Sequence, residues 1–267
     1  MRAGPLRTTA VRLRGSAAFR SETAAKPPMK HRRANASVPQ SPMHANASNL
    51  RPGEVRLMTR YQRGWRIVRA WRRLRAELHS LALRARGASI GKGVFFGTHS
   101  TVYGHRGLAI DDDVNLGHRA RIDAHVTERG QGRFAIGSGT RIGNDFHGGA
   151  ALSVTIGRDC MVASGGTILD HDHDFSDPSD PHRAHEGVVA SPVVIGDRVF
   201  LGERVTVLKG VHIGDCCVVG AHSVVSRDLP PYTMAAGIPA RPISRWNLEL
   251  GRWERLATPQ SVHEGAH

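Results

Sequence analysis

From Val193 to Val225 an aliphatic residue falls at every sixth position: Ile195, Leu201, Val207, Ile213, Val219 and Val225. A second column runs two residues ahead, through Val193, Val199, Val205 and Val211 to Cys217 and Ser223. Helices repeat at about 3.6 residues and strands at about 2, so a period of six fits neither. It fits a coil of short parallel strands in which each six-residue unit forms one side. The pattern returns upstream at Ile90 and Phe96, at Ile110, Leu116 and Ile122, at Ile136 and Ile142, and at Ile156, Val162 and Ile168. Glycines follow many of these positions, Gly91, Gly97, Gly117, Gly196 and Gly202 among them, and tight corners that demand unusual backbone angles explain them. The phase breaks twice with consequence. Ile142 and Ile156 are 14 residues apart and Ile168 and Ile195 are 27 apart, so a loop leaves the coil after Ile168. Stacked units share one core, which makes residues 88–243 a single all-β solenoid domain.

Before the repeat, Tyr61, Trp65, Val68, Trp71, Leu74, Leu78 and Leu81 recur at intervals of three and four, one stripe of a helix over 54–87. Arginines surround the stripe. Such a basic helix either caps the open end of the coil or lies on an anionic membrane surface. Residues 1–53, rich in Ala, Ser, Pro and Arg, have the composition of a disordered basic leader or an organellar presequence, or lie ahead of a later start at Met43 or Met58. Residues 244–267 form a short tail, expected to be helical. No stretch of about 18 apolar residues exists to span a membrane.

The net charge of +14 changes little in this picture, because residues 1–87 carry 20 Lys and Arg against 3 Asp and Glu, while the rest carries 17 against 20. The basicity belongs to the N-terminal segment, and a nucleic-acid-binding body is not expected. Cys160, Cys216 and Cys217 all lie inside the repeat and read as small core-filling side chains, not a disulfide framework.

Chemistry concentrates where the phase breaks. Asp170-His171-Asp172-His173-Asp174-Phe175-Ser176-Asp177 opens the long gap. A His beside a carboxylate is the usual general base, since its pKa lies near neutrality and the acid fixes its tautomer. The same run also reads as a solvated loop, or as a His-x-His metal pair with His147 or His125 as third ligand.

With these residues in view, the chain resembles the hexapeptide-repeat acyltransferases. The resemblance rests on the repeat, the Asp-His-x-His loop and the run from Gly220 to Arg241, which ends Ala236-Gly-Ile-Pro-Ala-Arg241. It covers about residues 88 to 256 and is nearest the branch that O-acetylates lipopolysaccharide, capsule and other sugar hydroxyls. The resemblance implies a left-handed parallel β-helix, a homotrimer with active sites between subunits, acetyl-CoA as donor, a sugar or glycan acceptor, no metal and a cytoplasmic location. In the family a loop His takes the acceptor proton. An ungapped count from Val162 gives His173 that role, with His171 as second choice and Asp170 or Asp177 orienting the ring. The donor positions that match are Gly202, Glu203, Gly220 and Ala221 for pantetheine, Arg227 and Arg241 for phosphates and Pro239 for adenine. The acceptor-holding Asn of galactoside acetyltransferases falls where this chain reads His147-Gly148-Gly149. A zinc enzyme like the γ-type carbonic anhydrases, on the same fold, and N-acetyl transfer to an amino sugar are the alternatives.

Overall fold

The computed structural model describes residues 71, 73–128, 130–177, 179 and 187–256. The leader, the first part of the expected helix (Tyr61, Trp65 and Val68 included) and the last part of the tail lie outside them. The chain winds as a left-handed parallel β-helix with three flat sides. Ser89–Ile90, Leu108–Ile110, Arg133–Ile136, Ser153–Ile156, Val193–Ile195 and His212–Ile213 stack on the first side. The second begins at Phe95–Phe96 and rises to Val218–Val219, and the third rises from Thr101–Tyr103 to Val224–Val225.

The six-residue period becomes this prism because each aliphatic residue points inward from one side and the next from the following side. In register, Ile90, Ile110, Ile136, Ile156, Ile195 and Ile213 form one buried column. Phe96, Leu116, Ile142, Val162, Leu201, Val219 and Ala235 form the second. The third is Val102, Ile122, Gly148, Ile168, Val207 and Val225. Gly148 breaks that column for a packing reason: a Cβ there would come within 2.5 Å of the fully buried Phe134 ring. The aromatic fills the space the missing side chain leaves.

The glycines behind the columns serve close approach, not unusual dihedral angles. None of Gly91, Gly97, Gly117, Gly196 or Gly202 has a positive φ. A Cβ at Gly117 would sit 2.4 Å from the carbonyl carbon of Gly143 in the next coil. The left-handed angles fall further along the corners, on residues such as Asp113 (φ 57°), Asp145 (φ 57°) and Arg204 (φ 53°). Asp tolerates that region better than most side chains.

A helix spans residues 73–85 and closes the first coil, but not with the stripe the periodicity marks. Ala76, Ser80 and Leu83 are buried, and the His79 ring stacks on Phe96 at 4.7 Å. Arg84 donates to the carbonyls of Ile90 at 2.8 Å and Gly91 at 2.6 Å, while Arg75 donates to that of Phe96 at 3.2 Å. These guanidinium groups satisfy an otherwise open sheet edge. Trp71, Leu74, Leu78 and Leu81 face away and are more than half exposed.

The tail departs from the expected helix. Ala240–Asn247 and Arg252–Arg255 are antiparallel strands that continue the second side, with Trp246 against Trp253 at a centroid distance of 5.5 Å. Pro242 disfavours a helix there, and the Asn247 side chain accepts from the Glu249 and Leu250 amides to turn the hairpin. Of the cysteines, Cys160 and Cys217 fill the core, whereas Cys216 sits half-buried at a corner beside Arg198.

Candidate active site

The long break after Ile168 is an antiparallel hairpin, His171–His173 paired with Val188–Ala190, standing off the corner between the third and first sides. Beneath it lies a pocket of about 700 Å³, with His125, His147, His171, Asp123 and Leu169 among its walls. Between two of its lining residues lies the buried Gly149, in register with Asp123 one coil below and with Leu169 one coil above. A Cβ at Gly149 would meet Leu169 Cδ2 at 2.7 Å and His171 Cε1 at 3.0 Å. The missing Cβ of Gly149 thus leaves the space that Leu169 and the His171 ring occupy.

Asp170 anchors the site. It is fully buried, and its carboxylate accepts from the amides of Ala151 at 2.7 Å, Leu152 at 2.7 Å and Ser153 at 2.6 Å. Oδ1 also lies 2.9 Å from His171 Nδ1. Burial pushes this carboxyl up, but the His171 ring and the three amides outweigh it and hold it below the ordinary carboxylate range. An ionised carboxylate only accepts, so Nδ1 of His171 carries the hydrogen and Nε2 presents a lone pair. The His171 side chain keeps 18% of its surface exposed. It is both oriented and reachable.

The other sequence candidates sit differently. His173 lines the same pocket, but it is exposed and its ring neighbour is Phe175, 6.3 Å away. Asp177 accepts from the amide and hydroxyl of Ser179. Asp172 pairs with Lys209, which ties the hairpin to the following coil. Gly202 and Gly220 stack at the corner between the second and third sides, in register through Leu201 and Val219, with Glu203 and Ala221 beside them. Arg227, Pro239 and Arg241 are exposed nearer the C-terminal hairpin. The positions expected to hold the donor and His171 therefore flank opposite edges of the third side, and none of those donor positions lines the pocket beneath the hairpin.

Sequence reasoning missed Arg121, Asp123 and Lys209, weighed His125 as a metal ligand, and weighed His147 as a metal ligand and as the residue standing where relatives hold the acceptor with Asn. His125 meets His171 edge to face at 4.8 Å. Burial first, then His171, pushes the His125 ring below its ordinary value, and burial first, then Arg121, does the same to His147. Both shifts favour the neutral ring. Among the described residues no group of His, Cys, Asp and Glu has metal-holding geometry, and no helix is long and apolar enough to cross a membrane.

The family model for bacterial transferase hexapeptide (six repeats) matches residues 192–227. WbbJ of Escherichia coli (strain K12), by name a lipopolysaccharide biosynthesis O-acetyl transferase, is 38% identical over 153 residues, covering 54% of this chain and 78% of that protein. Rv3034c of Mycobacterium tuberculosis (strain H37Rv), by name an acetyltransferase, is 32% identical over 232 residues, covering 86% of this chain and 73% of that protein. A solved maltose O-acetyltransferase from Clostridium difficile 630 is 27% identical with a TM-score of 0.35, covering 61% and 72%. With the repeat, the three-sided coil and the relatives from Escherichia coli and Mycobacterium tuberculosis together, the chain belongs to the hexapeptide-repeat acyltransferase family.

Proposed function

We propose that this protein is an acetyl-CoA-dependent O-acetyltransferase acting on a sugar hydroxyl of a surface polysaccharide, a lipopolysaccharide or a precursor of either. The observation that carries the reading is the Asp170–His171 pair: a buried, triply bonded carboxylate aiming the free Nε2 of an accessible imidazole into a pocket of sugar size. In the proposed step Nε2 takes the acceptor's hydroxyl proton as the oxygen attacks the thioester carbonyl. The C–O bond forms, the tetrahedral intermediate expels the CoA thiolate, and the imidazolium returns the proton to sulfur. No acyl-enzyme is required. His171 takes precedence over His173 because, among the described residues, His171 is the one of the two with a carboxylate on its other nitrogen.

The donor lies along the C-terminal coils, with Gly202, Glu203, Gly220 and Ala221 against pantetheine, Arg227 and Arg241 toward the phosphates, and Pro239 under adenine. Planar guanidinium groups suit phosphate oxygens. Since these positions stand across the third side from His171, the donor that meets His171 is held by a neighbouring subunit of a homotrimer. The body acts in the cytoplasm, and the exposed stripe Trp71, Leu74, Leu78 and Leu81 makes peripheral contact with an anionic membrane. A CoA-release assay across candidate glycans, with mass spectrometry of the products, tests the reading. Acetyl added to a sugar oxygen is expected; acetylated Cys or Ser on the protein after acetyl-CoA alone would contradict the direct route.

A further inference from the structure

Asp123 is 4% exposed, and its carboxylate is only half satisfied. Oδ2 accepts from Arg121 Nε at 2.6 Å, whereas Oδ1 is buried and has no hydrogen-bond partner among the described residues. Arg121 is held in turn by lying over the Tyr103 ring, 5.8 Å from its centroid. A buried acceptor without a donor is costly, and a donor supplied by another molecule is one of the reasons such a group persists in a native protein. Asp123 lines the pocket, and the side chain that would have covered it from the coil above is missing, because the residue in register is Gly149.

We infer that Asp123 is an acceptor-reading residue whose Oδ1 takes a hydrogen bond from a hydroxyl next to the one that is acetylated, so that the preferred acceptor presents a vicinal diol. The inference rests on the proposed O-acetyl transfer. Two observations choose a neutral hydroxyl over an ammonium group. Arg121 already balances the Asp123 charge, and an ammonium would be repelled by that guanidinium. The geometry suits neighbouring oxygens: Asp123 is one strand step of about 4.8 Å from Gly149, and the Cβ position of Gly149 is 3.0 Å from His171 Cε1. One hydroxyl then faces His171 while the next faces Asp123, which fixes which of a ring's hydroxyls reacts.

The test uses the full chain, acetyl-CoA and the methyl glycosides of glucose, galactose and mannose with their monodeoxy derivatives, read as kcat and KM from CoA release. For the best of these acceptors, removing the hydroxyl beside the acetylated one is expected to lower kcat/KM of the wild type by about tenfold or more, because Oδ1 is again left unpaired. In Asp123→Asn the parent glycoside should become poorer and that deoxy penalty should collapse, the non-additivity of two groups in contact. The wild-type series decides alone should the variant fold poorly. Acetylation with no neighbouring-hydroxyl penalty, or the same penalty in Asp123→Asn, would overturn the role of Asp123 alone. Failure of every glycoside to release CoA counts against the sugar-hydroxyl reading itself, and against this inference with it.

Discussion

At the residue scale the site depends on one fully buried carboxylate. Asp170 is held below its ordinary range by His171 and by three backbone amides, so its ionised form stabilises the fold. That contribution is complete above the unfolded carboxyl's pKa and is lost as pH falls through the lower folded value. Asp170→Asn turns an NH2 toward amide donors and is expected to cost about 3 kcal/mol at neutral pH. Thermal unfolding of both proteins across pH checks this: the gap should narrow in acid as wild-type Asp170 protonates. A constant gap down to pH values well below the carboxylate range would show that charge plays no part. The Asp-His run was legible as chemistry from sequence. Which His is oriented was not, because the deciding bonds come from Ala151, Leu152 and Ser153, in the preceding coil.

At the element scale the period of six predicts the three inward columns, including the phase breaks where the hairpin leaves. The reason for the glycines was misjudged. Corner angles are visible from local sequence, whereas the approach of one coil to the next is a long-range contact. Gly149 is such a long-range case, since its missing Cβ leaves the space that Leu169 and the His171 ring occupy. In Gly149→Ala the added methyl must displace Leu169 and press on the His171 ring. Activity is expected to fall about tenfold or more through the tilted base, while stability drops by about 1–2 kcal/mol. CoA release beside thermal unfolding separates the two, and equal wild-type rates would remove Gly149 from the site. The helix gives the converse case. Its apolar stripe was legible, but the face that closes the coil carries Ala76, His79, Ser80 and Leu83 with two arginines, a mixed surface that hydrophobic periodicity does not mark.

At the scale of the whole molecule the proposed donor positions and the proposed base stand at opposite edges of the third side, so the proposed route needs a second subunit to complete the site. Mixed oligomers of two inactive variants, His171→Ala and Ala221→Arg, should therefore recover part of the activity after unfolding and co-refolding, because some interfaces join an intact His171 to an intact donor wall. No recovery would place both in one subunit. Ala221 suits this use because it is exposed, so a long side chain there stands in the proposed donor path without entering the coil, whereas a Cβ at Gly202 would press on the Ala221 backbone at 2.6 Å. The central claim is that His171, oriented by Asp170, is the general base. CoA-release rates of His171→Ala and His173→Ala with one glycan acceptor test it most directly. The expected result is a loss of about 10²- to 10⁴-fold in kcat for His171→Ala and a much smaller one for His173→Ala. Near-wild-type turnover by His171→Ala, or the larger loss in His173→Ala, would contradict it.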